Sequence, residues 1–155
     1  MRILISHPNH PAQFRRLAPD LARQGHEVVF VSERNEWHAP EPLNYRLIAA
    51  APHRAGGGPA IHPYLRRLEG AVLQGQAVHR RCEELKAEGW YPDVVINHVG
   101  FGNGLYLSDV FPRARRIGLF EWYYNAEGSD VDFLHHGDVS TDRRLRLRGW
   151  NAQVL

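Results

Sequence analysis

Residues 92–104, Pro92-Asp93-Val94-Val95-Ile96-Asn97-His98-Val99-Gly100-Phe101-Gly102-Asn103-Gly104, constrain the fold more than any other stretch of the chain. Val94-Val95-Ile96 is an unbroken apolar run, the pattern of a strand buried on both faces, as in a parallel sheet. It runs into a glycine-rich turn and then into a predicted helix over residues 103–110, which ends before Pro112. Ile3-Leu4-Ile5 and Val28-Val29-Phe30-Val31 repeat the same pattern. Parallel strands require crossover connections, so helices are expected between these runs.

The rest of the chain supplies them. After Ile3-Leu4-Ile5 comes the turn His7-Pro8-Asn9-His10-Pro11, then a predicted helix over residues 11–24. Phe14, Leu17, Ala18, Leu21 and Ala22 form its apolar stripe. Pro19 lacks an N–H and crowds the carbonyl of Arg15, so a kink is expected there. Gly25 is placed to end the helix in a left-handed conformation. A second strand spans residues 26–32 and a weaker third one 45–51, separated by a proline-bearing loop over 33–44. Residues 53–59, with Gly56-Gly57-Gly58, read as a flexible surface loop. A long helix follows over 61–85, weakened by Gly70 and Gly75 and closed by Gly89. A fifth strand covers 116–122, with Ile117, Leu119 and Phe120 as its core residues. Residues 123–138 have no clear period and read as a long loop. Ser140-Thr141-Asp142 offers an N-cap for a last, arginine-rich helix. The element order gives an α/β class: a Rossmann-like, doubly wound parallel sheet of about five strands in a three-layer sandwich. The expected strand order is third, second, first, fourth, fifth.

Composition sets outer bounds. The 155 residues suit one α/β domain, and 19 Lys+Arg against 17 Asp+Glu is too balanced to call for nucleic acid. The single cysteine, Cys82, excludes an intrachain disulfide and fits a reducing cytoplasm. The N-terminal apolar run is too short for a signal peptide, and no run approaches the roughly 18 residues of a membrane span.

In such a sheet, ligands bind at the C-terminal ends of the strands where the strand order reverses, here between the first and fourth strands. The turns His7-Pro8-Asn9-His10 and Asn97–Gly104 meet there. The first offers His7, Asn9 and His10. The second offers His98, expected to face a ligand, with the backbone of Gly100, Phe101, Gly102 and Asn103. Glu121, at the end of the fifth strand, is the expected carboxylate. The glycines either bring backbone N–H groups close to a ligand or merely close a tight turn. A nicotinamide site needs G-x-G-x-x-G after the first strand, and His7-Pro8-Asn9-His10-Pro11 contains no glycine. There is no P-loop Gly-Lys-Ser/Thr. The 10 histidines form no H-x-x-x-H pattern, and His135-His136 are adjacent, so no metal site is expected. The segment from Asp142 to Arg148 is either a solvated helix face or a contact for acidic lipid head groups. Trp122-Tyr123-Tyr124 either stacks on sugar rings or covers a domain interface.

Four segments also carry a resemblance. The opening Met1–Arg15, Leu21-Ala22-Arg23-Gln24-Gly25-His26-Glu27-Val28, Asp109-Val110-Phe111-Pro112 and Phe120-Glu121-Trp122-Tyr123-Tyr124 resemble one subgroup of the family 4 glycosyltransferases. The resemblance implies a two-domain GT-B architecture, with an N-terminal acceptor-binding domain and a C-terminal domain holding a nucleotide-sugar donor. It implies retaining transfer that generally needs no metal. By position it assigns His7, Asn9, His10, His98, Gly100 and Glu121 to the acceptor side. The chain has no room for the donor domain, so it is expected to be the acceptor half, short of its last strand or strands and inactive alone. It is expected to bind no cofactor of its own. Its expected partners are a saccharide or lipid-linked acceptor, the donor domain and a second copy through an unfinished sheet edge. A cytoplasmic location, with contact to the inner membrane face, completes the expectation. A sugar-nucleotide epimerase half-domain and a non-catalytic binding domain are the rival readings.

Overall fold

The computed structural model describes residues 1–34, 42–121, 123, 125 and 140–154. Five parallel strands form one sheet: β1 (Arg2–Ser6), β2 (Glu27–Ser32), β3 (Arg46–Ala49), β4 (Val94–His98) and β5 (Arg115–Leu119). Their order is β3-β2-β1-β4-β5, as the sequence pattern predicts. The helices are α1 (Leu17–Arg23), α2 (Arg66–Ala87), α3 (Leu107–Val110) and α4 (Thr141–Val154). No helix of the described residues is long and apolar enough to cross a membrane.

The period-2 alternation of each strand divides the core in two. Leu4, Val29, Val31 and Val95 face Ala77, Val78, Cys82 and Leu85 of α2, with Trp90, Leu107, Val110 and Phe111 completing that cluster. Ile3, Ile5, Val28 and Phe30 face the other way, onto Phe14 and Ala18. This is why the central runs show no polar residue: each face of the sheet is covered by a helix. Burying one such aliphatic side chain contributes about 1.5–3 kcal/mol.

Several local expectations are corrected. The helix predicted over 11–24 is instead a 3₁₀ turn at Ala12–Phe14 followed by the short α1. Pro19 then lies in the first turn of α1, where its missing N–H has no helical partner to lose, so no kink forms there. Gly25 follows with φ 82°, as expected of a helix-ending glycine. The long helix starts at Arg66 rather than residue 61, after a 3₁₀ turn at Pro63–Leu65.

The triglycine loop is tied down. Glu69 accepts hydrogen bonds from the Gly57 N–H (2.6 Å) and from Arg54 (2.7 Å), and a Cβ on Gly56 would lie 3.0 Å from the backbone nitrogen of Gly70. The helix after β4 has only four residues, because the glycine-rich turn runs on to Tyr106. Finally, β5 is an edge strand. Ile117 and Phe120, predicted as core, are 53% and 62% exposed, and only Leu119 packs against the core. An edge strand has one neighbour, and here the described residues leave much of its face uncovered.

The arginine-rich end forms α4. Its Ser140 cap accepts the Arg143 N–H (3.3 Å), and Asp142 accepts the Tyr64 hydroxyl (2.7 Å). Leu147 is buried and the Arg67 guanidinium lies 3.6 Å above the Trp150 ring, so one face of α4 docks on α2 and the turn before it. All but residues 123 and 125 of the predicted loop over 123–138, the His135-His136 pair and most of Trp122-Tyr123-Tyr124 lie outside the described residues.

Candidate functional site: a carboxylate held over two buried histidines

Three turns meet at the C-terminal ends of β1, β4 and β5. The turn after β1 contains a cis His10–Pro11 peptide and Ala12 at φ 44°. It brings Gln13 across to the end of β5. There the Glu121 carboxylate accepts hydrogen bonds from Gln13 Nε2 (3.0 Å) and interacts with His98 Nε2 at 2.8 Å, both through Oε2. Oε1 has no hydrogen-bond partner among the described residues. The two hydrogen bonds, His98 first and Gln13 second, hold the Glu121 carboxyl below its ordinary value, so it is ionised at neutral pH.

Beneath Glu121 the site is buried. His98 is 3% exposed, so the sequence expectation of a ligand-facing imidazole is corrected: the ring is roofed by Phe101 (centroids 4.9 Å apart) and meets the edge of His7 (5.2 Å). A strand-end position did not keep it open, because the glycine-rich turn folds back over it. His98 acts on the surface through Glu121.

His7 is buried as well, between Phe14, His98 and Phe101. Burial pushes it below the usual histidine range, so the ring is neutral at pH 7. Its Nδ1 lies 2.9 Å from the Asn9 N–H and 2.8 Å from the Asn9 carbonyl oxygen. These two contacts select opposite tautomers: the first puts the proton on Nε2, the second on Nδ1. In either case His7 Nε2 is buried without a partner, and so are His98 Nδ1 and Asn103 Oδ1. Asn103 donates through Nδ2 to Ser6 Oγ (3.2 Å), joining the turn to β1.

The sequence-predicted residues therefore separate into two layers. Asn9, Gly100, Phe101 and Glu121 form the exposed layer, with Gln13 added by the structure. His7, His98 and Asn103 form the buried layer. His10 stands apart, with Nε2 2.8 Å from the Tyr45 hydroxyl and its ring edge against Phe30. Gly102 points away from the cleft. Its φ is 84°, and a Cβ there would sit 1.9 Å from the Ala71 carbonyl oxygen of α2. Gly75 on α2 makes room in return, since its Cβ would lie 2.8 Å from the Gly102 carbonyl oxygen. The sequence marks Gly75 only as a weak point in a helix; its packing role depends on which residue faces it. The backbone N–H groups of the turn do not open a helix, because α3 starts only at Leu107.

No group of three or more His, Cys, Asp or Glu side chains among the described residues is placed to hold a metal ion. The arrangement can accept hydrogen bonds from hydroxyl groups at an ionised, oriented carboxylate beside an exposed aromatic ring, Phe101 (44% exposed).

A search of curated proteins finds no match to this chain. The profile of the glycosyl transferase family 4 group matches residues 24–155, which include β2 to β5 and the whole of the turn from His98 to Gly104. The chain therefore belongs to the glycosyl transferase family 4 group, and its role lies in glycosyl transfer.

Proposed function

We propose that this chain is the acceptor-side half of a retaining glycosyltransferase, working with a second domain that binds the nucleotide-sugar donor. The observation that carries the reading is the Glu121 carboxylate, anchored by His98 and Gln13 at the switch point of the sheet. Its Oε1 accepts a hydrogen bond from an acceptor hydroxyl. Phe101 offers an apolar face to the ring, and Asn9 and the backbone of Gly100 line the same surface. Because Glu121 is ionised, it orients the hydroxyl as a hydrogen-bond acceptor and is not a proton donor. His98 is a positioning residue: with one ring nitrogen on Glu121, it fixes which way the carboxylate points. His7 and Asn103 support it from below.

The acceptor in this reading is a saccharide or lipid-linked saccharide, met in the cytoplasm at the inner membrane face. Titration of the ¹⁵N-labelled chain with saccharides tests the site. Shifts centred on Gln13, Gly100, Phe101 and Glu121 are expected. Shifts confined to residues remote from these would sink the cleft assignment. Robust transfer from a nucleotide sugar by this chain alone would overturn its assignment as a half-enzyme. The exposed edge at β5 is the proposed contact with a second copy or with the donor domain; a strict monomer by light scattering would remove the first.

A further inference from the structure

A cavity of about 360 Å³ lies between the C-terminal ends of β2 and β3 and the first half of α2. Its volume falls within the roughly 300–1,000 Å³ of small-molecule sites. Gln74 of α2 lines it and is 4% exposed. Its Nε2 donates to the Ala50 carbonyl oxygen at 3.3 Å, which orients the amide, while its Oε1 is buried without a partner. A buried amide oxygen left unpaired beside a cavity is costly, and a ligand that donates to it removes that cost.

The rest of the lining narrows the ligand. Arg54 is spent on Glu69 (2.7 Å) and on the Ala55 carbonyl oxygen (3.1 Å), so its charge is already answered. Glu33, exposed at the rim, adds a second acceptor and disfavours anions. Leu73 and Pro52 supply apolar surface. A buried amide beside the cavity and a carboxylate at its rim, with apolar Leu73 and Pro52, suit a neutral ring whose hydroxyls donate and whose C–H faces pack.

We infer that this cavity is a second binding site, for one neutral hydroxyl-bearing ring, with Gln74 Oε1 accepting from a ring hydroxyl. It uses no residue of the Glu121 cleft and stands or falls separately from it. A continuous rim nonetheless links the two, because Asn9 in the turn after β1 bridges to Arg34, which follows Glu33.

The test is titration of the ¹⁵N-labelled chain with glucose, mannose, galactose and inorganic phosphate, read at the Gln74 side-chain amide and the Gly70 backbone amide. At least one sugar is expected to give saturable shifts there, and phosphate none. Gly70→Leu is the blocking variant: a Cβ at Gly70 meets nothing within 4 Å, and leucine is the better helix former. It should abolish the shifts without lowering the melting temperature. Gln74→Met, which keeps the length and removes the acceptor, should weaken binding about tenfold. If no sugar moves the Gln74 amide, the cavity holds water only and the inference fails. Binding that survives Gly70→Leu, or shifts driven by phosphate, would also overturn it. Shifts at Phe101 and Glu121 report on the other cleft in the same spectra, so the two readings are judged apart.

Discussion

Replacing Gly102 with alanine should unfold this domain far more readily than the same change at Gly25. Both glycines have similar positive φ, 84° and 82°, so both substitutions carry the left-handed penalty of about 1–2 kcal/mol. Both also gain the same small offset from a stiffer unfolded chain, about 0.4–1 kcal/mol. The difference is space. A Cβ at Gly25 meets nothing within 4 Å, whereas at Gly102 it falls 1.9 Å from the Ala71 oxygen and 2.5 Å from the Ala71 carbonyl carbon. These are backbone atoms of a 22-residue helix packed on the sheet and cannot swing aside. Forcing such an overlap adds about 1–3 kcal/mol. Gly102→Ala should therefore cost about 2–4 kcal/mol, and Gly25→Ala about 1 kcal/mol or less. The two variants differ by the overlap alone, so at about 2–4 °C per kcal/mol for a chain of this size the melting temperatures should separate by roughly 2–12 °C. Thermal and urea unfolding followed by circular dichroism measure this. Equal losses in the two variants would show that the turn does not press on α2, and would remove the reason given for Gly102 and Gly75.

Glu121→Gln keeps the shape of the side chain and removes its charge; saccharide affinity in the cleft, read by titration, should fall about tenfold or more, and an unchanged affinity would refute the carboxylate's role. Stability should fall as the pH drops below neutral. His7 is held below its unfolded value of 6.5, so the unfolded chain takes up that proton first, and stability present above pH 6.5 is lost as the pH falls toward the folded value. Glu121, held below its unfolded 4.5, adds a second loss beneath that pH, made smaller by solvent screening because its side chain is more than a third exposed. Burial holds His10 below 6.5 as well, so urea unfolding at pH 7, 6 and 5 should show the first loss, and a His7→Phe variant that still folds should reduce it to the part due to His10. Burial pushes the Cys82 thiol up to about 12, so a thiol reagent at pH 8 should label it only after unfolding; fast labelling of the native chain would contradict its place in the core.

Much of the architecture was legible in short apolar runs. Ile3-Leu4-Ile5 and Val28-Val29-Phe30-Val31 are buried from both sides, and Val95 and Ile96 pack into opposite clusters, so these strands have no polar option on either face. Their spacing around helical stretches then leaves few topologies, and the observed strand order is the one expected. β5 is the strand expected, but of its expected core residues only Leu119 packs inward; Ile117 and Phe120 stay more than half exposed, because burial needs an element laid over the face, which apolar sequence does not specify.

The candidate site was legible as a place and less so as an arrangement. Local sequence marks strand ends and turns, so His7, Asn9, His98, Gly100, Phe101 and Glu121 could be placed at one crevice. It carries no distance between Gln13 and Glu121, which are 108 residues apart and hydrogen-bonded. Nor does it tell that His7 and His98 are both covered.

Chain chemistry sets what each segment is able to be: a two-face strand, a turn that needs glycine, a helix too short to outlast its proline. The assignment of roles came from packing. Gly102 packs against α2, His98 lies beneath a carboxylate, and Gln74 holds an unpaired oxygen beside a cavity. Those outcomes depend on which surfaces meet in three dimensions, and burial, hydrogen-bond partnering and steric exclusion exist only once they have met.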